Sequence, residues 1–333
     1  MRVGHGRLLA YNPNQWDGVI VCAVVNRIYK YRAINIQNIE NLCADTLYFS
    51  SPSSFNDPFE CEPTIESDSS NEELEKILYE LIFDNVYKES MDSLKNIKIE
   101  SKYKNEVSRD KADKLATFKI NELRYLATDD EYEESVGVKN NRLLAYEIRR
   151  EVLKWERKGI CCFSTSCKDS LMWSHYADSH KGMCVGYDFK RNPVPQVSRV
   201  EYGGDRILKT STIRKAVLEK DSGAKLTIYD KMFLRKARQW RYEKEYRIFM
   251  GHGLQESPLR MLDVTFGMRA SGTAMYAVVS ALRKRDNPVK FYIVNEVYGK
   301  FTLQRKRLDV DELLSSYPRI AQSGYEIFGE VCD

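Results

Sequence analysis

Residues 160–189 read ICCFSTSCKDSLMWSHYADSHKGMCVGYDF. Ile160-Cys-Cys-Phe-Ser-Thr-Ser166 is a short, β-prone apolar run, the pattern of a buried strand. Ser170 to Ala177 turns helical in texture. Met183, Val185, Tyr187 and Phe189 then alternate with other residues, which is strand period. Working outward, Val197–Tyr202, Tyr246–Met250, Leu262–Phe266 and Phe291–Val294 read as further strands. Residues 206–239 read as helical, and Val297-Tyr-Gly-Lys-Phe301 as a hairpin turn leading into one more strand. Strands and helices succeed one another irregularly, without the steady alternation of a doubly wound sheet. The fold class predicted is α+β: a mixed, mainly antiparallel sheet core with a helical insertion.

Upstream, Ile36, Ile39, Leu42 and Cys43 fall at helical spacing behind Asn35, a natural N-cap. Thr46-Leu-Tyr-Phe-Ser50 follows as a strand, and Ser51-Pro-Ser-Ser-Phe-Asn-Asp-Pro58 as a turn-rich loop. The apolar run near Val19 to Val25 reads as a strand. It is far short of the ~20 apolar residues that span a bilayer, and it lacks the flanks of a signal peptide. Between residues 67 and 157 the texture is helical. Ser70 and Glu73 are spaced as a capping box, and Leu74, Ile77, Leu78, Leu81 and Ile82 form one apolar stripe. Leu144, Ile148, Val152 and Trp155 form another. Polar sequence, rich in Lys and Glu, lies between them from Lys95 to Asp113. The predicted organisation is a core domain of residues 1–66 and 158–333 interrupted by a helical insertion of 67–157, a lid, an arm for a protein partner or scaffold.

The 333 residues carry a net charge of only +4, with 43% hydrophobic and 30% charged residues. This composition excludes wholesale disorder and does not by itself demand a nucleic-acid partner. Arg235, Lys236, Arg238 and Arg241, or Arg305 to Arg307, are local basic runs that read first as solvated faces. Eight scattered cysteines without a CxxC pair point to reduced thiols and a cytoplasmic location without membrane contact. Cys161, Cys162, Cys167, His175 and His180 fit no standard zinc spacing, and no metal ligand is assigned.

Three stretches taken together are specific: Tyr29-Lys-Tyr-Arg-Ala33 with Leu47-Tyr-Phe-Ser-Ser-Pro-Ser-Ser-Phe-Asn-Asp-Pro-Phe-Glu60; Cys162-Phe-Ser with Met172-Trp-Ser-His-Tyr-Ala177 and His180-Lys-Gly182; and Trp240-Arg-Tyr-Glu-Lys-Glu-Tyr-Arg-Ile248. In this order the chain resembles the bacterial domain-of-unknown-function family 2971 over residues 28–270. That family implies no reaction.

A second resemblance does. Arg32 at one strand end, Ser164-Thr165-Ser166 at another and Glu243-x-Glu245 before a third are similar in order to the signature of NAD-using ADP-ribosyltransferases. The resemblance implies NAD as substrate, a macromolecular acceptor (protein or nucleic acid) and, by analogy, a toxin or phage-defence role. Glu245 would be catalytic, beside the oxocarbenium-like ribose, with Glu243 acting on the acceptor. Arg32 would grip the diphosphate, Ser164, Thr165 and Ser166 would shape the pocket, and Tyr48, Phe49 or Tyr176 would stack on nicotinamide. His175 is placed near the same cleft. The other reading of Arg32 is an ion pair with Glu60 or Glu245. Two alternatives stand beside the transferase. Asn56, Asp57 and Glu60 with His175, Tyr176 and His180 contain the residue types of a metal-dependent nuclease or phosphodiesterase, although Asn-Asp-Pro equally reads as a structural turn. A non-catalytic ligand or nucleic-acid sensor would keep the pocket alone.

Overall fold

The computed structural model describes residues 25–98, 100–129, 134–155, 159–319 and 324–329. Most of the run expected as a strand near Val19, together with Cys22 and Cys332, lies outside them. The core is an eight-stranded sheet. In spatial order its strands are Lys300–Arg307, Lys290–Val297, Arg260–Phe266, Met183–Asp188, Ile28–Arg32, Gly159–Ser164, Glu245–Met250 and Ser198–Arg199. Only Arg260–Phe266 and Lys290–Val297 pair in parallel; the other neighbours run antiparallel. The fold is α+β with a mixed, mainly antiparallel sheet.

Strand alternation divides the side chains between two faces. On one face Ile28, Phe163, Val185, Tyr187, Ile248 and Val264 pack with Leu42 of the helix Ile36–Cys43 and with Val278, Val279 and Leu282 of the helix Gly272–Leu282. Asn35 caps the first of these helices, its Oδ1 accepting from Asn38 N at 2.8 Å. The opposite face is divided. Ile160 shares a cluster with Leu78, Ile148, Ile213 and Ile228, whereas Tyr31 and Cys184 pack against Trp173. A cavity opens between these two clusters, lined by Ile160 and Cys162 on one side and by Tyr31 and Met172 on the other.

The insertion consists of the helices Asn71–Ser93, Ser101–Leu126 and Val136–Leu153. The capping box forms, with Ser70 Oγ accepting from Glu73 N and Glu73 Oε2 from Ser70 N. Both expected apolar stripes are buried, apart from Trp155, which is only partly so. The polar stretch between them is a helix from Ser101 onward. It turns Ser108, Ala112, Ala116, Ile120 and Leu123 inward, so small residues allow close packing where no large apolar stripe exists. Leu144 and Leu78 share one core cluster with Ile213 and Phe233 of the segment after residue 206. The insertion is therefore packed into the rest of the molecule.

Candidate active site

The cavity, about 430 Å³, is walled by residues from five separated segments. Its floor is a row across three adjacent strands: Tyr29 pairs with Ser164, and Ser164 pairs with Glu245. Paired residues share a face, so these three side chains look the same way. The expected convergence of three distant segments holds for the strands. It does not hold for Arg32. Three residues beyond Tyr29, Arg32 belongs to the other face, where it is buried near Tyr187. Its Nε and Nη2 have no hydrogen-bond partner among the described residues. Arg32 neither lines the cavity nor pairs with Glu60 or Glu245.

Glu243 closes the 3₁₀ turn Arg238–Glu243, and Lys244 follows in the left-handed region at φ 47°. A fully extended chain would put the two glutamates on one side. Instead the chain reverses at Lys244, and that turn aims both carboxylates into one cavity. Glu60 arrives from the loop 51–60, where Asp57 Oδ1 accepts from Phe59 N at 2.9 Å. The Asn-Asp-Pro sequence is thus a structural Asx turn. Lys236 comes from the short strand Arg235–Lys236, and Tyr176 ends the helix Ser170–Tyr176, which Asp169 caps.

These groups form one buried network. Lys236 Nζ lies 2.5 Å from Glu243 Oε2, 3.1 Å from Glu245 Oε2 and 3.2 Å from Glu60 Oε2. Arg247, fully buried one alternation beyond Glu245, donates its Nε to Glu245 Oε1 at 2.8 Å and its Nη2 to Glu60, and its Nη1 donates to Phe233 O at 2.7 Å. Tyr176 donates its hydroxyl to Glu243 Oε1 at 2.6 Å, and Glu245 N donates to the Tyr202 hydroxyl at 2.7 Å.

The network holds three carboxylates and two cations, an excess of one negative charge on buried side chains. Glu60 and Glu245 each touch both cations; Glu243 touches only Lys236. Burial accordingly pushes Glu243 up to about 7, with Lys236 opposing and Glu245 adding to the rise. Glu245 moves the other way. Burial would raise it, but Arg247 and then Lys236 override that and hold it down at about 2. Burial alone would lower Lys236; the surrounding carboxylates reverse this and keep it charged. Burial and Glu243 together hold Tyr176 protonated. Two carboxylates separated in this way within one cavity are suited to acid–base work.

Of the residues predicted for the site, Ser164, His175, Tyr176, Glu243 and Glu245 line the cavity. Thr165 and Ser166 lie past the strand end, outside the cavity wall; Ser166 Oγ instead accepts from Lys168 N. Tyr48 is exposed on a separate two-stranded ribbon, its ring 6.0 Å from His252, and Phe49 is buried in the core. Neither can stack on a ligand in this cavity. His175 is exposed at the rim, beside the Tyr176 and Tyr242 rings. Lys236 and Arg247 escaped the sequence reading. Lys236 sits within a basic run that reads as solvated, and yet it is buried. The signal for Arg247 is its position: two residues after Glu245 on a strand, it must share that face.

Among the described residues no group of three or more His, Cys, Asp or Glu side chains is arranged to hold a metal ion. The histidines and carboxylates considered for a nuclease, and the cysteines and histidines considered for zinc, are not assembled as ligand sets. The cysteines at 43, 61, 161, 162, 167 and 184 are free thiols. No helix among the described residues is long and apolar enough to cross a membrane.

No curated protein and no solved structure matches the chain. Trp240 to Ile248 and the Met172 to Gly182 part of the second motif stretch fall within a family match, whereas Cys162-Phe-Ser and the first stretch, before residue 61, fall outside it. Residues 172–248, the stretch that brings Tyr176, Lys236, Glu243 and Glu245 to the cavity, match the model of the family described as Protein of unknown function (DUF2971).

Proposed function

We propose that the cavity performs glycosyl transfer on an NAD-type dinucleotide, with Glu243 as the acid–base group. The observation that carries this reading is the separation of Glu243 and Glu245, one near 7 and one held ionised, within a pocket walled by Tyr29, Tyr31, Phe55 and Tyr176. A volume of about 430 Å³ accommodates the nicotinamide–ribose end of such a ligand. When the bond from ribose C1′ to the nicotinamide nitrogen breaks, its electron pair leaves with the nicotinamide, which becomes neutral, and the positive charge passes to the ribose. The anionic excess of the Glu60–Glu243–Glu245 network favours that charge. An acceptor hydroxyl or amine then bonds to C1′ and loses its proton to Glu243. Glu245, with both oxygens committed to Arg247 and Lys236, acts as a positioning residue. Glu243 thus keeps the acceptor-side role expected for it, whereas Glu245, expected to be catalytic, positions the network instead.

The test is nicotinamide release from labelled NAD by the purified chain, with and without cell lysate. Release should disappear in Glu243→Gln. Undiminished release in that variant, or intact NAD after prolonged incubation with the wild-type chain, would overturn the proposal. A second reading is favoured by the sealed ion network itself: a ligand-binding pocket without chemistry. Saturable NAD binding without nicotinamide release identifies that case.

A further inference from the structure

Two more cavities adjoin the first. One of about 490 Å³ shares Glu60 and Lys236 with it, and a third of about 740 Å³ shares Phe59 and Arg206 with the second. The turn that carries Phe59 and Glu60 thus borders all three, with the Glu60 carboxylate in the ion network and the Phe59 ring 60% exposed. The outer cavities are basic and aromatic. Arg206 lies over the Phe59 ring at 4.8 Å and donates to Glu62 O. Arg238 flanks Gly203 at the second cavity, and Arg142, Tyr146 and Arg149 come from the helix Val136–Leu153 to the third. Tyr146 is 56% exposed. The acidic side chains there are already engaged: Glu62 with Arg149, Asp205 with Lys231, Glu60 with Lys236 and Arg247, and Asp57 with the backbone of its own turn. Neither Arg206 nor Arg238 meets a carboxylate among the described residues.

Guanidinium groups beside exposed rings, in adjoining cavities that together exceed one small ligand, match the chemistry of an unpaired polynucleotide. Phosphates take the arginines, and splayed bases stack on Phe59 and Tyr146. A duplex offers no free base faces to those rings. We propose that the second and third cavities form a track for single-stranded nucleic acid, which delivers a nucleotide of that strand to the first cavity as acceptor. The track rests on the proposed glycosyl transfer for its purpose, but it can be tested without it.

The experiment is fluorescence anisotropy of the full chain with labelled single strands of about 20 nucleotides, DNA and RNA, against the same sequences as duplexes over a salt series. Single strands should bind saturably and more tightly than duplexes. Arg206→Ala/Arg238→Ala should weaken binding at least tenfold and flatten the salt slope by about 1.4. Phe59→Ala should weaken binding about tenfold with little change in slope. If the double variant fails to fold, Arg238→Ala alone, at an exposed site, should flatten the slope by about 0.7. No saturable binding at low salt, duplex bound as tightly as single strand, or unchanged affinity in these variants overturns the track. Nicotinamide release, measured separately on the wild-type chain, separates the two ideas. Release without strand binding removes the track and leaves the chemistry; strand binding without release does the reverse.

Discussion

Lys236 and Arg247 bring two positive charges to three carboxylates, and the surplus gives one proton a place on Glu243. Because burial has moved Glu243 from the ordinary carboxylate range up to about 7, its ionisation falls where it can be measured. A base must be ionised to accept a proton, so turnover should rise with pH to a midpoint near 7. Glu243→Gln should abolish that limb along with activity, as read from the pH profile of nicotinamide release. Glu245 differs in sign. It contributes stability that is present above the ordinary carboxylate value and is lost as pH falls toward about 2. Glu243 contributes stability below that ordinary value and loses it as pH rises through about 7. Arg247→Met leaves the Glu60 and Glu245 charges buried and should cost about 3–5 kcal/mol, measured by urea unfolding at pH 7. A cost below ~1 kcal/mol would show that water reaches the network. The glutamates were legible in the sequence because Glu-x-Glu before a strand is a local pattern. Their cations were not, because Lys236 reaches the site through a turn and a two-residue strand that no local period marks.

At the scale of elements, the capping box Ser70–Glu73 and the stripe beginning at Leu74 were legible because both are local. Ser70→Ala should therefore cost about 1 kcal/mol in chemical denaturation, without affecting nicotinamide release. The helix Ser101–Leu126 was illegible past its polar surface, since alanines and serines pack it. The strand Gly159–Ser164 shows the same limit. Its apolar run was plain, but its partners on both sides come from residues more than eighty positions away, and only pairing decides that Ser164 faces Glu245 while Arg32 does not. Gly182 marks a further non-local demand. A Cβ there would lie 2.3 Å from the Arg32 carbonyl oxygen. The turn after His180 and the strand Ile28–Arg32 approach that closely, and backbone cannot yield as a flexible side chain can. Gly182→Ala should force the two segments apart and lower the melting temperature by several degrees, about 1–3 kcal/mol of overpacking. An unchanged melting curve would show that the turn adjusts freely.

At the scale of the whole molecule, the insertion decides how the chain can be cut. The sequence divides into a core of residues 1–66 and 158–333 and a helical insertion of 67–157. The packing joins them: Leu74, Leu78, Leu81, Leu144 and Ile148 are buried in one cluster with Ile160 of the central sheet and Ile213, Ile228 and Phe233 beyond it. Asn85 also donates to Glu151 across the insertion, and Asp68 at its root accepts from Thr210 and Ser211. Removing 71–153 and joining the ends with a short flexible linker would uncover the apolar side chains of Ile160, Leu208, Ile213, Ile228 and Phe233. Each fully buried aliphatic or aromatic side chain contributes roughly 1.5–3 kcal/mol, so exposing five of them costs about 7.5–15 kcal/mol, comparable to the roughly 5–15 kcal/mol that holds a typical domain together. The shortened chain should be insoluble or molten, seen as lost near-ultraviolet dichroism and early aggregation on size exclusion. Arg142, Tyr146 and Arg149 would leave with the helix Val136–Leu153, and with them one wall of the outermost cavity. A shortened chain that stays monomeric and melts cooperatively would mean that the insertion is an accessory after all. Single-strand binding retained by such a chain would then confine the nucleic-acid track to the second cavity, where Phe59, Arg206 and Arg238 remain.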